Sequence, residues 1–377
     1  MRASRNTLPA VLAVALFLFV SLGATAPRDD YKTLEVGQAA PPFSLPGVDG
    51  KTYTLDSFRS AELLLVIFTC NHCPTAQAYE DRIKTLVTDY GSRGVAVVAI
   101  SPNDPSAVRL DELGYTDLSD TFEEMQLRAE DKGYNFPYLY DGETQSVSKA
   151  YGPVATPHAF LFDKNRTLQY VGRIDDEERI GKAKKHDLRE ALDAMLAGKP
   201  VPNATTKTFG CSVKWADKSG SVERALARWQ AEPVSVEPIN IEGVRELARN
   251  DTDKLRVINV WATWCGPCVT EMPEFVDINR MYRGRKFELI TLSIDGPGVE
   301  ADVLATLQRN HVSTKNYYFG QEEAYDLIEA LDPAWQGPIP YTILIKPGGE
   351  VAFRQVSTID PLELKREIVK QIGRYYD

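Results

Sequence analysis

Two pairs of cysteines in this 377-residue sequence have the spacing of redox-active thiols, with two residues between the partners. Residues 261–268 read WATWCGPC, and residues 67–74 read IFTCNHCP. Each pair follows an apolar run rich in β-forming residues and precedes a helical pattern. A cysteine at the start of a helix meets free backbone N–H groups and the positive end of the helix dipole, which favour a thiolate. A second cysteine one turn later is placed to attack a mixed disulfide, so both motifs predict thiol–disulfide exchange.

The spacing also assigns roles within each motif. In the first, here named the CGPC site, Cys265 is predicted to be the nucleophile and Cys268 the resolving thiol. Cys70 and Cys73 are predicted to act in the same way at the second, the CNHC site. A purely structural disulfide is disfavoured, because a two-residue gap closes too small a loop to add much stability.

Metal binding is the other chemistry that paired cysteines suggest. Zinc sites combine such pairs with each other or with histidines at fixed spacing. Here the two pairs lie far apart, and none of the four histidines has ligand spacing to a pair. We therefore expect no metal and no cofactor, with the cysteine pairs themselves as the redox centres.

The elements that must position these thiols recur in the same order in two halves of the chain. Apolar strands at 62–69 and 255–262 each lead into a CxxC pair and a long helix. Further along each half, a Thr-Pro or Ile-Pro step, ending at Pro157 or Pro340, enters another strand. Strands alternating with helices predict an α/β fold class with two tandem domains, each a central sheet flanked by helices.

Composition shifts suggest the domain boundaries. Pro and small polar residues over about 197–238 mark a linker region. We therefore predict one domain at 33–196, a linker region at 197–234 that contains Cys211, and a second domain at 235–377. A helical pattern inside the linker region, WADKSGSVERALARWQ, is free to pack on either domain.

The N-terminus has the composition of an export segment. Arginines near the start precede an uncharged apolar run and then small residues, so residues 1–26 are predicted to be a signal peptide or an N-terminal anchor. Either outcome places the rest of the chain outside the cytoplasm, in a bacterial periplasm. The formal net charge of −10 argues against nucleic acid as a partner.

The second half resembles thioredoxin domains, and most of all the extracytoplasmic, often membrane-tethered thioredoxins of cytochrome c maturation. The resemblance is carried by NVWATWCGPCVTEMP at 259–273 and by the later Ile339-Pro340 step. It implies a cis-proline, Pro340, opposite the CGPC pair, where it and Trp264 contact a peptide substrate. It also implies that Glu271 accepts the proton of Cys268. The alternative for Glu271 is a solvated helix residue.

The first half, over about 33–175, resembles the redoxin branch of peroxiredoxin-like (AhpC/TSA) proteins, beginning with a hairpin at 37–58. A peroxidase of that group has a Pro-x-x-x-Thr-x-x-Cys motif. If Cys73 takes the place of its cysteine, Cys70 replaces the threonine and the proline is missing. The resemblance therefore favours a dithiol exchanger over a peroxidase, with Pro157 in the cis-proline position of thioredoxins.

The inner residues of the CNHC site suggest a different redox potential. Asn-His resembles the Pro-His of the periplasmic disulfide-forming oxidase, and His72 is predicted to stabilise the Cys70 thiolate. A stabilised reduced form makes the disulfide more oxidising. Ala76 stands at the position that corresponds to Glu271. The alternative is an exposed His72 without a tuning role.

Cys211 belongs to a GCxxKW segment that follows redoxin domains of this type, and three roles are open. It is a relay thiol between the two sites, a buried apolar residue, or a link to a second chain.

Together these features predict a thiol–disulfide oxidoreductase that acts on protein thiols and disulfides, with a membrane or periplasmic electron donor. Electrons are predicted to pass from the CGPC site to the CNHC site, through Cys211 if it is a relay. Two alternatives stay open. One is a thiol peroxidase in which the CGPC domain recharges the redoxin domain, and the other is a binding module with static disulfides.

Overall fold

The computed structural model describes residues 31–320 and 324–376 of the chain. The predicted signal peptide or anchor at 1–26 lies outside these residues. Among the helices that are described, none combines the length and the apolar character needed to cross a membrane.

The first sheet has five strands in the order β5-β4-β3-β6-β7. Strand β3 lies in its centre, parallel to β4 and antiparallel to β6. A two-stranded hairpin, β1-β2, precedes it. The elements of this half are β1 Ser44–Pro46, β2 Thr52–Thr54, β3 Leu63–Phe68, α1 Pro74–Tyr90, β4 Val95–Ser101, α2 Phe122–Lys132, β5 Tyr138–Tyr140, α3 Ser146–Tyr151, β6 His158–Phe162, β7 Leu168–Gly172 and α4 Asp187–Leu196.

The second sheet has six strands in the order β13-β12-β9-β10-β11-β8. Its central strand β9 is parallel to β10 and antiparallel to β12, as β3 is to β4 and β6 in the first sheet. Helix α5, Gly220–Gln230, lies before it in the chain. The elements of this half are β8 Glu237–Pro238, α6 Ile241–Arg249, β9 Leu255–Trp261, α7 Gly266–Tyr282, β10 Phe287–Ser293, α8 Glu300–Arg309, β11 Lys315–Tyr318, α9 Ala324–Leu331, β12 Tyr341–Ile345, β13 Val351–Val356 and α10 Pro361–Ile372.

The predicted fold class, two tandem mixed sheets of the thioredoxin type flanked by helices, is confirmed. Strand alternation places Leu65 and Ile67 in the core beneath α1, while Leu64, Val66 and Phe68 face the opposite core beneath α3. The hairpin at 37–58 and the helix in the linker region are also present. Sequence reasoning missed α4 and α6, whose short amphipathic patterns lie outside the repeated order of signals.

One connection of the first half packs against the second half. Residues 102–120, here named the joining loop, run from β4 towards α2. Val108 and Leu113 of this loop are buried in the core formed by α7, α10 and the second sheet. The Tyr282 hydroxyl donates a hydrogen bond of 2.7 Å to the Thr116 carbonyl. The two sheets therefore share part of one apolar core.

Candidate functional sites

The CGPC site lies where β9 ends and α7 begins. Cys265 is the N-cap of α7, and its sulfur accepts the Cys268 N–H at 3.3 Å. The two cysteines form a disulfide. Cys268 is completely buried and Cys265 nearly so, whereas the neighbouring Trp264 is 69% exposed. Cys265 is thus slightly more accessible than Cys268, which is the order that a nucleophile and a resolving thiol require.

Glu271 lies one turn after Cys268 and is buried, not solvated. Its carboxylate accepts hydrogen bonds from the Asn259 amide at 3.2 Å and from the Ile359 N–H at 2.9 Å. Burial raises the pKa of Glu271, and these two bonds only partly offset it. A buried carboxyl whose pKa is raised takes up a proton more readily than a solvated one, which is a property of general acid–base groups.

The Ile339-Pro340 peptide bond is cis, and the Ile339 side chain packs on the apolar cluster that contains Cys265 and Cys268. Among the described residues, none forms a hydrogen bond with the Ile339 N–H. The backbone edge beside the CGPC pair is therefore open, next to the exposed Trp264.

The CNHC site is built with a different helix register. Here the second cysteine, Cys73, is the N-cap of the helix, and its sulfur accepts the Ala76 N–H at 3.4 Å. Pro74 occupies the first helical position, where it pre-sets the backbone and no donor is lost. Cys70 lies before the helix, at the end of β3, with its sulfur 3.2 Å from the Thr156 hydroxyl. The structure records Cys70, Cys73 and Cys211 as free thiols.

His72 is 2% exposed, so the alternative in which this residue is exposed is wrong. Its Nδ1 lies 2.5 Å from a carboxylate oxygen of Asp120, which is completely buried. Asp120 also accepts hydrogen bonds from the backbone N–H groups of Asn71 and His72 and from the Asn103 amide. Burial would lower the pKa of His72, but the Asp120 charge and hydrogen bond outweigh it and raise this pKa.

We expected His72 to stabilise a thiolate on Cys70, but the pKa shifts of the three thiols favour Cys73 instead. Burial alone would raise the pKa of Cys73, but hydrogen bonds from Cys211 and Cys70 and the His72 charge hold it well below its usual range. Burial, the contact with Cys73 and the Asp120 charge raise the pKa of Cys70. The contact with Cys73 and burial raise the pKa of Cys211. These interactions favour ionisation of Cys73, the residue that caps the helix, over ionisation of Cys70 or Cys211.

The sequence-predicted residues form two groups. Trp264, Cys265, Cys268 and Glu271 belong to the CGPC site, with Pro340 beside it. Cys70, His72 and Cys73 form the CNHC site beside Pro157, whose peptide bond with Thr156 is also cis.

Sequence reasoning missed Asp120, Thr156 and the position of Cys211 at the CNHC site. Asp120 is about 50 positions from the motif, just before the cap of α2, and no spacing rule connects it to His72. Ligand atoms of Cys70, His72 and Asp120 all lie within 4.8 Å of one another, so this trio has the residue types of a metal site. However, His72 Nδ1 is bonded to Asp120, and a metal bound at this nitrogen would have to replace that bond.

The sequence profile of the AhpC/TSA family matches residues 36–171 and again residues 234–354. The thiol-disulfide oxidoreductase ResA of Oceanobacillus iheyensis is 31% identical over 109 residues, which cover 28% of this chain and 53% of the relative. The chain thus spans about half the length of that curated relative. ResA of Geobacillus thermodenitrificans is 25% identical over 187 residues, which cover 48% of this chain and 92% of the relative.

A crystal structure of an uncharacterized conserved protein from Geobacillus kaustophilus has 38% identity and a TM-score of 0.43, and covers 48% of this chain and 92% of its own. The two segments that match the family profile together make up more than half of the sequence. The chain therefore belongs to the AhpC/TSA family.

Proposed function

We propose that the protein is a thiol–disulfide oxidoreductase that exchanges electrons with protein disulfides at the CGPC site. One observation carries this proposal: Cys265 caps α7 next to an open backbone edge and an exposed Trp264. A protein substrate can lie along this edge, with its disulfide facing the sulfur of Cys265. The name of the ResA relatives, thiol-disulfide oxidoreductase, supports the same reaction.

The reduced site would act in two steps. The Cys265 thiolate attacks a substrate disulfide, forms a mixed disulfide and releases one substrate thiolate. Cys268 then gives its proton to Glu271, attacks Cys265 and releases the second substrate thiolate. The raised pKa of the buried Glu271 suits it to accept this proton and return it to solvent.

The test is capture of the mixed disulfide in the full chain. Cys268→Ser removes the resolving thiol and should accumulate a covalent complex with a disulfide-bonded protein, which a reducing agent dissolves. Cys265→Ser is the matched control and should capture nothing. If neither pair of the wild-type chain reacts with dithiothreitol, both disulfides are static and the proposal fails.

We further propose that the CNHC site is the more oxidising pair and receives electrons from the CGPC site. The Cys73 thiolate is stabilised by the helix start, by two thiols and by His72, and a stabilised reduced form raises the potential. Both potentials can be measured in the full chain, with the other pair replaced by serine. A CNHC potential equal to or below that of the CGPC pair contradicts this direction.

Peroxide reduction at the CNHC site is a second candidate. It is favoured by the low pKa and complete burial of Cys73, because a small oxidant reaches a buried thiolate more easily than a protein disulfide does. Against it, Arg173, which follows β7 and is the arginine that could take the place of a peroxidatic arginine, is paired with the buried Asp187 at 2.8 Å. Rapid consumption of hydrogen peroxide that Cys73→Ser abolishes and Cys265→Ser leaves intact in its first turnover would establish this activity.

The N-terminal sequence supports an extracytoplasmic location for this chemistry, where protein disulfides persist. We infer that protein thiols are the partners and that a membrane or periplasmic donor supplies the electrons. Fractionation of cells that express the full chain tests the location, and a cytoplasmic pool of uncut protein would contradict it.

A further inference from the structure

A segment of the chain itself lies along the backbone edge beside the CNHC site. Residues 204–214, here named the strap, begin beside β7, the edge strand of the first sheet, and continue to the CNHC site. The Val171 N–H donates to the Ala204 carbonyl at 3.0 Å, and the Thr206 N–H donates to the Val171 carbonyl at 3.1 Å. The Thr208 hydroxyl then donates to the carbonyl of Pro157 at 2.9 Å. These bonds fix the strap from β7 to the proline beside the thiols.

At Thr156 the strap pairs with the backbone as a bound peptide would. Thr156 and Cys211 form an antiparallel bridge, and the Thr156 N–H donates to the Cys211 carbonyl at 2.9 Å. Gly210 permits this close approach, because a Cβ there would lie 2.0 Å from the Thr156 carbonyl oxygen. Beyond it, the Lys214 N–H donates to the Asn103 side chain at 2.9 Å.

The two sites differ in the backbone pairing of the residue that precedes the cis-proline. Thr156 precedes Pro157 and is paired with the strap, whereas Ile339 precedes Pro340 and has no backbone partner within residues 31–320 and 324–376. An extended peptide adds to an exposed edge through main-chain hydrogen bonds. The strap therefore occupies in the CNHC site the edge that the CGPC site leaves open.

The strap also delivers a third thiol. The Cys211 N–H donates to the Cys73 sulfur at 3.4 Å, and the Cys211 side chain packs on the buried cluster of Cys70, Cys73 and Ala76. Cys70 and Cys73 are 3% and 0% exposed, while Cys211 is only half-buried. Of these three cysteines, Cys211 is therefore the one that a thiol of another molecule can reach.

We propose that the strap is a built-in occupant of the CNHC groove and that Cys211 is a redox partner of Cys73, forming a Cys73–Cys211 disulfide as an alternative to Cys70–Cys73. This inference rests on the proposed redox function of the CNHC site. It assigns a disulfide-bonded protein as the oxidant: Cys211 attacks the substrate disulfide, its proton goes to the first substrate thiolate, and the Cys73 thiolate then attacks the Cys211 sulfur and releases the second substrate thiolate. A protein or small-molecule dithiol is the reductant that opens the Cys73–Cys211 disulfide at Cys211.

The electrons and protons balance as follows. One thiolate of the dithiol attacks the Cys211 sulfur, the new S–S bond forms, and Cys73 leaves as a thiolate. The second thiolate of the donor closes the donor disulfide and releases Cys211, which takes up one of the donor's two protons while the other goes to solvent. Two electrons thus pass from the donor to the cysteines. A thiol of low pKa leaves fastest, which fits Cys73 as the leaving group.

Exchange between the two disulfides needs no further oxidant. Cys70 attacks the Cys73 sulfur, the Cys70–Cys73 bond forms, and Cys211 is released and takes the proton of Cys70. Cys73 is thus the sulfur common to both disulfides.

Disulfide mapping in the full chain tests the proposal. The Cys265→Ser/Cys268→Ser chain is equilibrated in glutathione buffers, alkylated and digested with trypsin. Cys70 and Cys73 share the peptide 60–82, whereas Cys211 lies in 208–214, so a Cys73–Cys211 bond joins two peptides. We expect this cross-linked pair, and Cys70→Ser should make it the main product. Cys70–Cys73 without any cross-link overturns this inference alone, and the absence of any disulfide at Cys73 overturns the redox role of the site as well.

Unseating the strap is an independent test. Gly210→Ala places a methyl group against the Thr156 carbonyl and should abolish the cross-link and speed alkylation of Cys73 by a maleimide about tenfold. Gly198→Ala is the control, because Gly198 also has a positive φ but its Cβ would meet nothing within 4 Å. Circular dichroism checks that each variant is folded. A folded Gly210→Ala chain with unchanged cross-linking and alkylation contradicts the proposed position of the strap in the CNHC groove.

Discussion

At the scale of single residues, each site contains one buried carboxyl group, and the pKa values of these two carboxyl groups are shifted in opposite directions. Burial raises the pKa of Glu271, so this group is ready to hold a proton. The pKa of Asp120 is lowered, because the His72 charge and several hydrogen bonds outweigh its burial. Asp120 is thus a fixed negative charge that keeps His72 positive beside Cys73.

Glu271→Gln should slow reduction of oxidised glutathione by the CGPC dithiol roughly a hundredfold near neutral pH, because the variant lacks the proton acceptor. The wild-type carboxyl has a raised pKa in the folded state. Its contribution to the free energy of unfolding is therefore present below the unfolded pKa and lost as pH rises through the folded one.

The variant, which does not titrate, should thus gain stability relative to wild type as pH rises. Stopped-flow rates and urea unfolding at several pH values measure both effects. The exposed Glu274→Gln on the same helix is the control and should change neither. A Glu271→Gln chain with wild-type rates would remove Glu271 from the mechanism.

Asp120→Asn should raise the pKa of Cys73, because a neutral partner no longer keeps His72 charged. It should also lower the free energy of unfolding by about 3–5 kcal/mol, as loss of one partner of a buried pair does. The ultraviolet absorbance of the thiolate, titrated in the Cys265→Ser/Cys268→Ser chain, reports this pKa. Asp141→Asn, at another buried aspartate bonded to Ser148, serves as control. An unchanged titration curve would show that Asp120 does not tune the thiolate.

These residues also show how far sequence reasoning reaches. The CxxC spacing and the strand before it predicted where both pairs would lie, because local elements determine those positions. Asp120 was not predictable, because only the folded joining loop brings it to His72. The role of Cys73 was missed for a related reason: spacing alone does not show at which cysteine a helix begins.

At the scale of elements, a buried ion pair links neighbouring strands of the second sheet to one another and to α6. Arg256 of β9 and Glu288 of β10 are bonded at 2.6 Å. Arg256 also donates to the Leu247 carbonyl of α6 at 2.6 Å, and Lys315 of β11 binds Glu288 at 2.8 Å. The Glu288 carboxylate thus links β10 to β9 and β11, and Arg256 links β9, the strand that ends at the CGPC site, to α6.

Glu288→Gln should lower the free energy of unfolding by about 3 kcal/mol at pH 7, because it leaves the buried Arg256 without a counter-charge. Arg256 and Lys315 outweigh burial and lower the pKa of Glu288, so its contribution is present above the unfolded pKa and lost as pH falls through the folded one. The difference from wild type should therefore shrink in acid.

Urea unfolding at pH 7 and below pH 4 measures the Glu288 effect. Glu350→Gln, at the exposed pair with Lys346, should cost at most about 1 kcal/mol. Equal losses for the two variants would refute the special role of the buried pair.

The order of elements was largely predictable, and the lateral contacts were not. Alternating apolar residues in β3 and β9 indicated central strands, and the Thr-Pro and Ile-Pro steps indicated the strands beside them. The path of the strap had no such signal, because its polar residues and Gly210 are typical of any linker.

At the scale of the whole molecule, the two sheets form a continuous structure through the joining loop. Leu113 and Val108 complete the core under α7 and α10. Arg374, just beyond α10, donates to the Asp117 carboxylate of the same loop at 2.6 Å. The domain boundaries inferred from composition remain a proposal. Composition gives no sign of the contacts between the joining loop and the second half, because these contacts join residues more than 160 positions apart.

Leu113→Ala should lower the free energy of unfolding by about 2–5 kcal/mol, the usual cost of a cavity at a buried leucine. The loss should appear for the whole molecule in a single urea transition, because both sheets use this core. Val36→Ala, at an exposed position, should stay within about 0.5 kcal/mol of wild type. Two separate transitions in the wild-type chain would contradict the shared core.

The joining loop also bears on how the chemistry can be measured. Its last residue, Asp120, holds His72, and a few residues earlier the same backbone contacts Tyr282 at the end of the helix that carries the CGPC pair. Cutting the chain between the sheets would expose the apolar side chains of this loop to water and remove the contact that holds its backbone at Thr116, a few residues before Asp120. A redox potential obtained from an excised half would then describe an altered molecule, so the proposed electron flow between the pairs has to be measured in the intact polypeptide.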